Sequence, residues 1–128
     1  MTRQVFVIDD SELDLFYARI VLERLQPAVQ VHTFDSAADA LQALQVAPAP
    51  PDLILLDINM PGMNGFDFLA AYEQAIAAGL AAAPVAIVSS SPDAPDRDHA
   101  FGFAPVCDYI VKPLDAQSVD DILARLPV

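Results

Sequence analysis

The chain has a single cysteine, Cys107, which rules out a disulfide framework within it. As a small apolar side chain, that cysteine is expected in the core. Lysine is just as scarce: Lys112 stands alone, and six basic residues face eighteen acids for a net charge of −12. Nucleic-acid binding needs clustered Lys and Arg to displace counterions from phosphates, so neither DNA nor RNA is an expected partner, and neither is an anionic membrane surface. Every apolar stretch is broken by Asp, Pro or Gly before the roughly 18 residues that a bilayer crossing requires. The amino end, Met1-Thr2-Arg3-Gln4, runs straight into a strand-like segment containing two aspartates. It lacks the basic patch, apolar stretch and small-residue cleavage site of a secretory signal, so a cytoplasmic location is expected. No repeat, long linker or second composition regime interrupts the 128 residues, and 1–128 is expected to form one domain.

What is present is a hydrophobic fraction of 55%, distributed with a clear rhythm. Gln4–Ile8 is a short, β-branched apolar run that stops at Asp9-Asp10, the pattern of a buried parallel strand. Leu13, Phe16, Tyr17, Ile20, Val21 and Leu25 then recur at helical spacing and predict an inward helix face, ending before Pro27. Val29–Phe34 alternates like a strand nearer an edge. Ser36 and Asp39 have capping-box spacing ahead of a helix with Leu41 and Leu44 inward. Ala47–Pro51 is too rich in proline for helix or central strand and reads as a stiff connector.

Leu53–Leu56 is the most apolar strand candidate and ends at Asp57, followed by a loop with Pro61, Gly62 and Gly65. Phe66–Ala78 predicts a helix with Gly79 near its C-cap, and Val85–Val88 a fourth strand ending at Ser89-Ser90-Ser91. A weaker helix is expected around Asp93–Phe103, its prolines near the start where they are tolerated. Tyr109–Val111 reads as a fifth strand closed by Lys112-Pro113, and Ala116–Leu126 as a last helix with Val119, Ile122, Leu123 and Leu126 on one face. Five strands alternating with five helices predict an α/β doubly wound parallel sheet covered on both faces.

In such folds ligands sit beyond the carboxyl ends of the strands. There the pattern brings Asp9, Asp10, Asp57, Ser89 and Lys112 together: three carboxylates, a hydroxyl and an ammonium from four strands. Clustered carboxylates resist full ionisation unless a cation intervenes, and oxygen donors without His or Cys favour Mg²⁺ or Mn²⁺. A hard cation beside a lysine and a hydroxyl suits a phosphoryl group. His32 and His99 are expected at the surface. Phe101, Phe103 and Tyr109 are expected to form either core or a partner-facing patch.

Four motifs carry a resemblance to a known family. They are Val7-Ile8-Asp9-Asp10, Leu55 to Gly65 (LLDINMPGMNG), Pro84 to Ser90 (PVAIVSS) and Asp108 to Pro113 (DYIVKP). Together, in this order and spacing, they closely resemble the receiver domain of two-component response regulators, of the chemotaxis-regulator type. The resemblance implies a flavodoxin-like five-stranded sheet of order 2-1-3-4-5 and a phosphorylation-dependent switch. It implies that Asp57 accepts a phosphoryl group from a histidine kinase or a histidine phosphotransfer protein. Mg²⁺ would be bound by Asp10 and Asp57 directly, by the backbone carbonyl of Asn59, and by Asp9 largely through water. Lys112 would pair with Asp57 at rest and with the phosphoryl group afterwards, ahead of a Pro113 bond that is usually cis in the family. Ser89 would be the switch hydroxyl and Tyr109 the aromatic that follows it inward, while Asn59 and Ser91 lie where hydrolysis is tuned. Self-phosphorylation and slow autodephosphorylation make such a protein a switch rather than an enzyme with a diffusible product.

Some features depart from the family pattern. Ser89 stands where Thr is more frequent, Ala104-Pro105-Val106-Cys107 replaces the usual turn before the fifth strand, and Pro92 and Pro95 mark an unusual fourth helix. The family's output and its homodimers commonly use the face of helix four, strand five and helix five, so these changes bear on the choice of downstream protein. The chain starts just before the first strand and ends at Val128 after the last helix, from which a stand-alone receiver acting through protein contact is expected. Two other readings compete. One is a phosphorylation-independent docking protein on the same fold. The other is a Mg²⁺-dependent phosphohydrolase with an aspartyl-phosphate intermediate, whose usual general acid is replaced here by Asn59.

Overall fold

The structure is a computed structural model that describes residues 2–91 and 94–126. Among these described residues ten elements alternate: β1 (Arg3–Ile8), α1 (Glu12–Glu23), β2 (Val29–Phe34), α2 (Ala37–Val46), β3 (Leu53–Leu56), α3 (Gly65–Ala77), β4 (Val85–Ser89), α4 (Ala94–Phe101), β5 (Val106–Val111) and α5 (Ala116–Arg125). All strands are parallel, as the sequence pattern predicts, and their order is β2-β1-β3-β4-β5, as the resemblance implies. Strand order reverses between β1 and β3, so their carboxyl ends form the switch-point crevice.

Every residue of β3 and β4 is buried because both sheet faces are covered. Alternate side chains feed two cores. Ile8, Ile54, Leu56 and Ile87 pack under α2 and α3, around Phe68, Leu69 and Tyr72. Val5, Val7, Leu55 and Val88 pack under α1 and α5, around Leu22, Val119 and Ile122. Each fully buried side chain of this size is worth about 1.5–3 kcal/mol, which makes the strand ends a stiff platform.

Helix starts follow their caps. Ser11 caps α1 and Ser36 caps α2, where its hydroxyl accepts the Asp39 N–H. A reciprocal capping box forms at Asn64–Asp67 on α3, and Gly79 at φ +114° follows that helix as its C-terminal glycine.

Three sequence expectations need correction. The first concerns α1, whose core face is made by Ala18, Val21 and Leu22, joined just beyond the helix by Leu25. Leu13 (78% exposed), Phe16 (64%), Tyr17 and Ile20 point outward. The helix has two apolar stripes, and the sheet selects the one with small Ala18, which permits close approach.

The second concerns β5, which begins at Val106 rather than Tyr109. Val85 pairs with Val106 but Ala86 pairs with Asp108, so Cys107 is the extra residue of a bulge. That bulge turns Cys107 out to solvent instead of into the core. The third concerns α4, which ends at Phe101, two residues short of the expected Phe103. Its expected start at Asp93, and Pro92, lie outside the described residues.

The aromatic cluster divides: Tyr109 is buried, Phe103 is half-buried against the core, and Phe101 is exposed. His99 is exposed as expected, its ring stacked on Phe66 at 4.0 Å. His32 is half-buried on the edge strand and bonds the Gln4 side chain.

Candidate functional site

The backbone ladder places the site's side chains. The Asp9 N–H donates to the Phe34 carbonyl at 3.1 Å and the Asp57 N–H to the Ile8 carbonyl at 2.9 Å. Both aspartates therefore continue the sheet by one residue and stand side by side. The Lys112 N–H donates to the Ser89 carbonyl at 2.7 Å, which fixes the last strand end to its neighbour. Asp9 and Asp57 are each 6% exposed, and Asp10, one residue on, faces solvent.

Oxygen atoms of Asp9, Asp10 and Asp57 lie within 4.8 Å of one another. This donor set is all oxygen, hard and anionic, and partly open to water, so it fits Mg²⁺, or Mn²⁺, and fits Zn²⁺ poorly. The Asn59 N–H donates to Asp57 Oδ1 at 3.1 Å, holding the loop against the carboxylate. Gly65 makes that loop possible. Its N–H donates to the Ile58 carbonyl at 3.1 Å, and a Cβ there would come within 2.5 Å of Ile58 Cα and 2.9 Å of the Asp57 carbonyl.

Burial is the main reason why the Asp57 carboxyl is raised from 3.8 to about 6; the charge of Asp9 adds to the effect, and the Asn59 N–H and Lys112 oppose it. Burial works against the Lys112 ammonium too. Its hydrogen bonds to Asp14 and Asp9 and the charges of Asp57 and Asp9 outweigh burial, and its pKa is raised.

The resemblance implies a resting pair between Lys112 and Asp57; the contact is present but is the longest of three. Lys112 Nζ lies 2.7 Å from Asp14 Oδ2, 3.1 Å from Asp9 Oδ2 and 3.9 Å from Asp57 Oδ2. Asp14 was not among the residues expected here. It lies in the first turn of α1, where side chains lean toward the helix N-terminus and so toward the strand ends, and that direction was the available signal.

Ser89 is fully buried, and its hydroxyl accepts the Ser91 N–H at 3.0 Å. The Tyr109 hydroxyl donates to the Ser91 carbonyl at 2.7 Å, so Ser89 and Tyr109 meet through one loop residue. The Arg97 guanidinium lies over the Tyr109 ring at 5.8 Å and over Phe101 at 5.5 Å. The Lys112–Pro113 bond is cis, as the resemblance implies.

Beside the carboxylates runs a cleft of about 620 Å³ with an apolar wall. Leu13, Phe16, Tyr17 and Ile20 of α1 line it together with Leu114, Asp57 and Lys112. The outward stripe of α1 and the acidic pocket are therefore parts of one concave surface.

Residues 5–124 match the family model of the response regulator receiver domain. The chain is 37% identical over 122 residues to the transcriptional regulatory protein KdpE of Mycobacterium tuberculosis, covering 95% of this chain and 48% of that protein. It is 31% identical over 122 residues to the two-component response regulator ORR41 of Oryza sativa subsp. japonica, covering 95% and 92%. The chain thus spans about half the length of KdpE and less of several other relatives. Among solved structures, a two component response regulator from Cytophaga hutchinsonii superposes with a TM-score of 0.86 at 27% identity, covering 97% of this chain and 96% of that one. Vibrio cholerae chemotaxis protein CheY4 shares the fold with a TM-score of 0.79 at 23% identity, covering 99% and 100%.

Proposed function

The chain belongs to the response regulator receiver domain family, and from that premise we propose that it is a signalling switch set by phosphorylation of Asp57. The observation that carries this reading is the convergence of Asp9, Asp10 and Asp57 within 4.8 Å, with the only lysine of the chain reaching the same point. The phosphodonor is a histidine kinase or a histidine phosphotransfer protein. An oxygen of Asp57 attacks the phosphorus, the P–N bond to the donor imidazole breaks, and its electron pair leaves with the imidazole. Such transfer asks for little covalent help and is mostly positioning and charge neutralisation.

Asp9, Asp10, Asp57 and the backbone carbonyl of Asn59 would hold Mg²⁺, which, when bound, supplies charge neutralisation for the carboxylates and the phosphoryl oxygens. Lys112 neutralises a further phosphoryl oxygen. Ser89 turns its hydroxyl to the phosphoryl group, giving up the Ser91 N–H. Because Tyr109 bonds the same residue, this rearrangement passes to the α4–β5 surface. Slow attack by water on the acyl phosphate resets the switch.

The apolar stripe of α1 lies on the same cleft as Asp57 and suits a helical phosphodonor, while exposed Phe101 and Val111 on α4 and β5 suit an output partner. With twelve more acids than bases, the domain signals through protein contact and not through DNA.

Intact mass after incubation with Mg²⁺ and phosphoramidate tests this reading. A single phosphoryl adduct is expected, lost with chelator and absent in Asp57→Asn. Steady hydrolysis of a generic phosphate ester would favour a phosphohydrolase instead. An absent adduct, together with no binding of beryllofluoride, would favour a phosphorylation-independent docking protein.

A further inference from the structure

We propose that Asp14 is a positioning residue that holds Lys112 off Asp57, leaving the nucleophile free and the ammonium where the incoming phosphoryl oxygens arrive. This rests on the reading of Asp57 as phosphoacceptor. The geometry is one of unequal competition: Lys112 Nζ is 2.7 Å from Asp14 and 3.1 Å from Asp9, but 3.9 Å from Asp57. A charge-assisted hydrogen bond is formed at about 2.7–2.9 Å, so Asp14 holds the ammonium and Asp57 does not. The Lys112 main chain is pinned by its bond to Ser89, so the position of Nζ is set by the side chain and its partners alone.

Asp14 is in turn fixed by α1, whose N-cap Ser11 accepts the Asp14 N–H at 3.3 Å and whose own N–H donates to Asp9 at 3.0 Å. The tether is therefore built on the same turn that carries Asp9 and Asp10. Without it, Lys112 keeps its bond to Asp9, and the next carboxylate oxygen within reach is Asp57 Oδ2. Closing that gap pairs the attacking oxygen and sets an ammonium against the cation site. A lysine held outward avoids both, and a preorganised ammonium costs no rearrangement when charge develops on the transferring group.

The sign of the expected effect separates this proposal from simple charge removal. Taking a negative charge from the pocket should speed the approach of an anionic donor; losing the tether should slow transfer. Asp14→Asn is near-isosteric and half-exposed, so folding is expected to be retained, as unchanged circular dichroism would verify. Glu12→Gln removes the same charge from the same turn without touching the three carboxylates at Lys112.

Because Lys112 is the only lysine, protein grown with ¹⁵N-lysine gives one side-chain ammonium signal, free of assignment ambiguity. Asp14→Asn is expected to move that signal, and by more than Asp57→Asn does. Phosphorylation by phosphoramidate with Mg²⁺ should slow by about 5-fold, the rate equivalent of a part-exposed ion pair, while Glu12→Gln is unchanged or faster. In a Lys112→Ala background Asp14→Asn should have no further slowing effect, since Asp14 acts only through that lysine. An ammonium signal indifferent to Asp14→Asn, or equal rates in the Asp14 and Glu12 variants, would overturn the tether. A wild type that takes no phosphoryl group would instead overturn the reading of Asp57 beneath it, a separate and distinguishable failure.

Discussion

In the proposed reading, Asp57 is the residue on which protonation, metal and phosphoryl chemistry meet. Its folded-state pKa of about 6 lies above the ordinary 3.8, so between those values the native state holds a proton that the unfolded chain has lost. Linkage then makes the metal-free protein lose stability as pH rises from 3.8 through about 6, by up to about 3 kcal/mol. Thermal melts in chelator are expected to show a falling Tm across that window. Asp57→Asn should flatten the curve and melt higher than wild type above pH 6. The other strand-end residues were legible in the sequence because a parallel strand buried on both faces must become polar where it leaves the sheet. Asp14 was not: its place in the first turn of α1 aims it at the strand ends, but a helical acid looks the same whether it faces water or a lysine brought in by a distant strand. Cys107 was misread for a related reason: a bulge is a two-strand property, visible only once β4 and β5 are paired.

The elements make their own predictions. The loop after β3 tolerates only glycine at 65, since a side chain there meets the backbone of Ile58 and Asp57. Gly65→Ala is expected to cost about 2 kcal/mol or more and to weaken Mg²⁺ binding, measured by denaturant unfolding and by titration. Gly79→Ala, strained by its φ of +114° but open in space, should cost only about 1 kcal/mol and leave the cation site intact.

Helix α1 is where periodicity misled. Both of its stripes are apolar, and size favoured Phe16 and Tyr17, whereas close packing favoured Ala18. Phe16→Ser with Tyr17→Ser should therefore change stability by no more than about 0.5 kcal/mol. The same pair of substitutions should slow transfer from a phosphorylated histidine phosphotransfer domain at least about tenfold, the scale of losing apolar anchors. Phosphorylation by phosphoramidate should be unaffected. Equal slowing with both donors would place these side chains in the chemistry and not in docking.

Across the whole molecule, the parallel sheet covered on both faces follows from alternation, its order from the resemblance, and the reversal between β1 and β3 then dictates where the acids must gather. A divalent cation bound to that cluster would stabilise only the native state, by about 2.7 kcal/mol at a hundredfold excess over Kd. Mg²⁺ is thus expected to raise Tm, and to do so more at pH 7.5 than at pH 5.5, where protonated Asp57 competes with it.

The central claim, that Asp57 is the phosphoacceptor, is tested most directly by trapping the acyl phosphate. Protein treated with phosphoramidate and Mg²⁺ is reduced with borohydride, which converts a phosphorylated aspartate to homoserine, then digested and sequenced by mass spectrometry. The account predicts homoserine at position 57, dependent on Mg²⁺ and at no other aspartate. Homoserine at Asp9, Asp10 or Asp14, or a phosphoryl group found only on a histidine or serine, would contradict it.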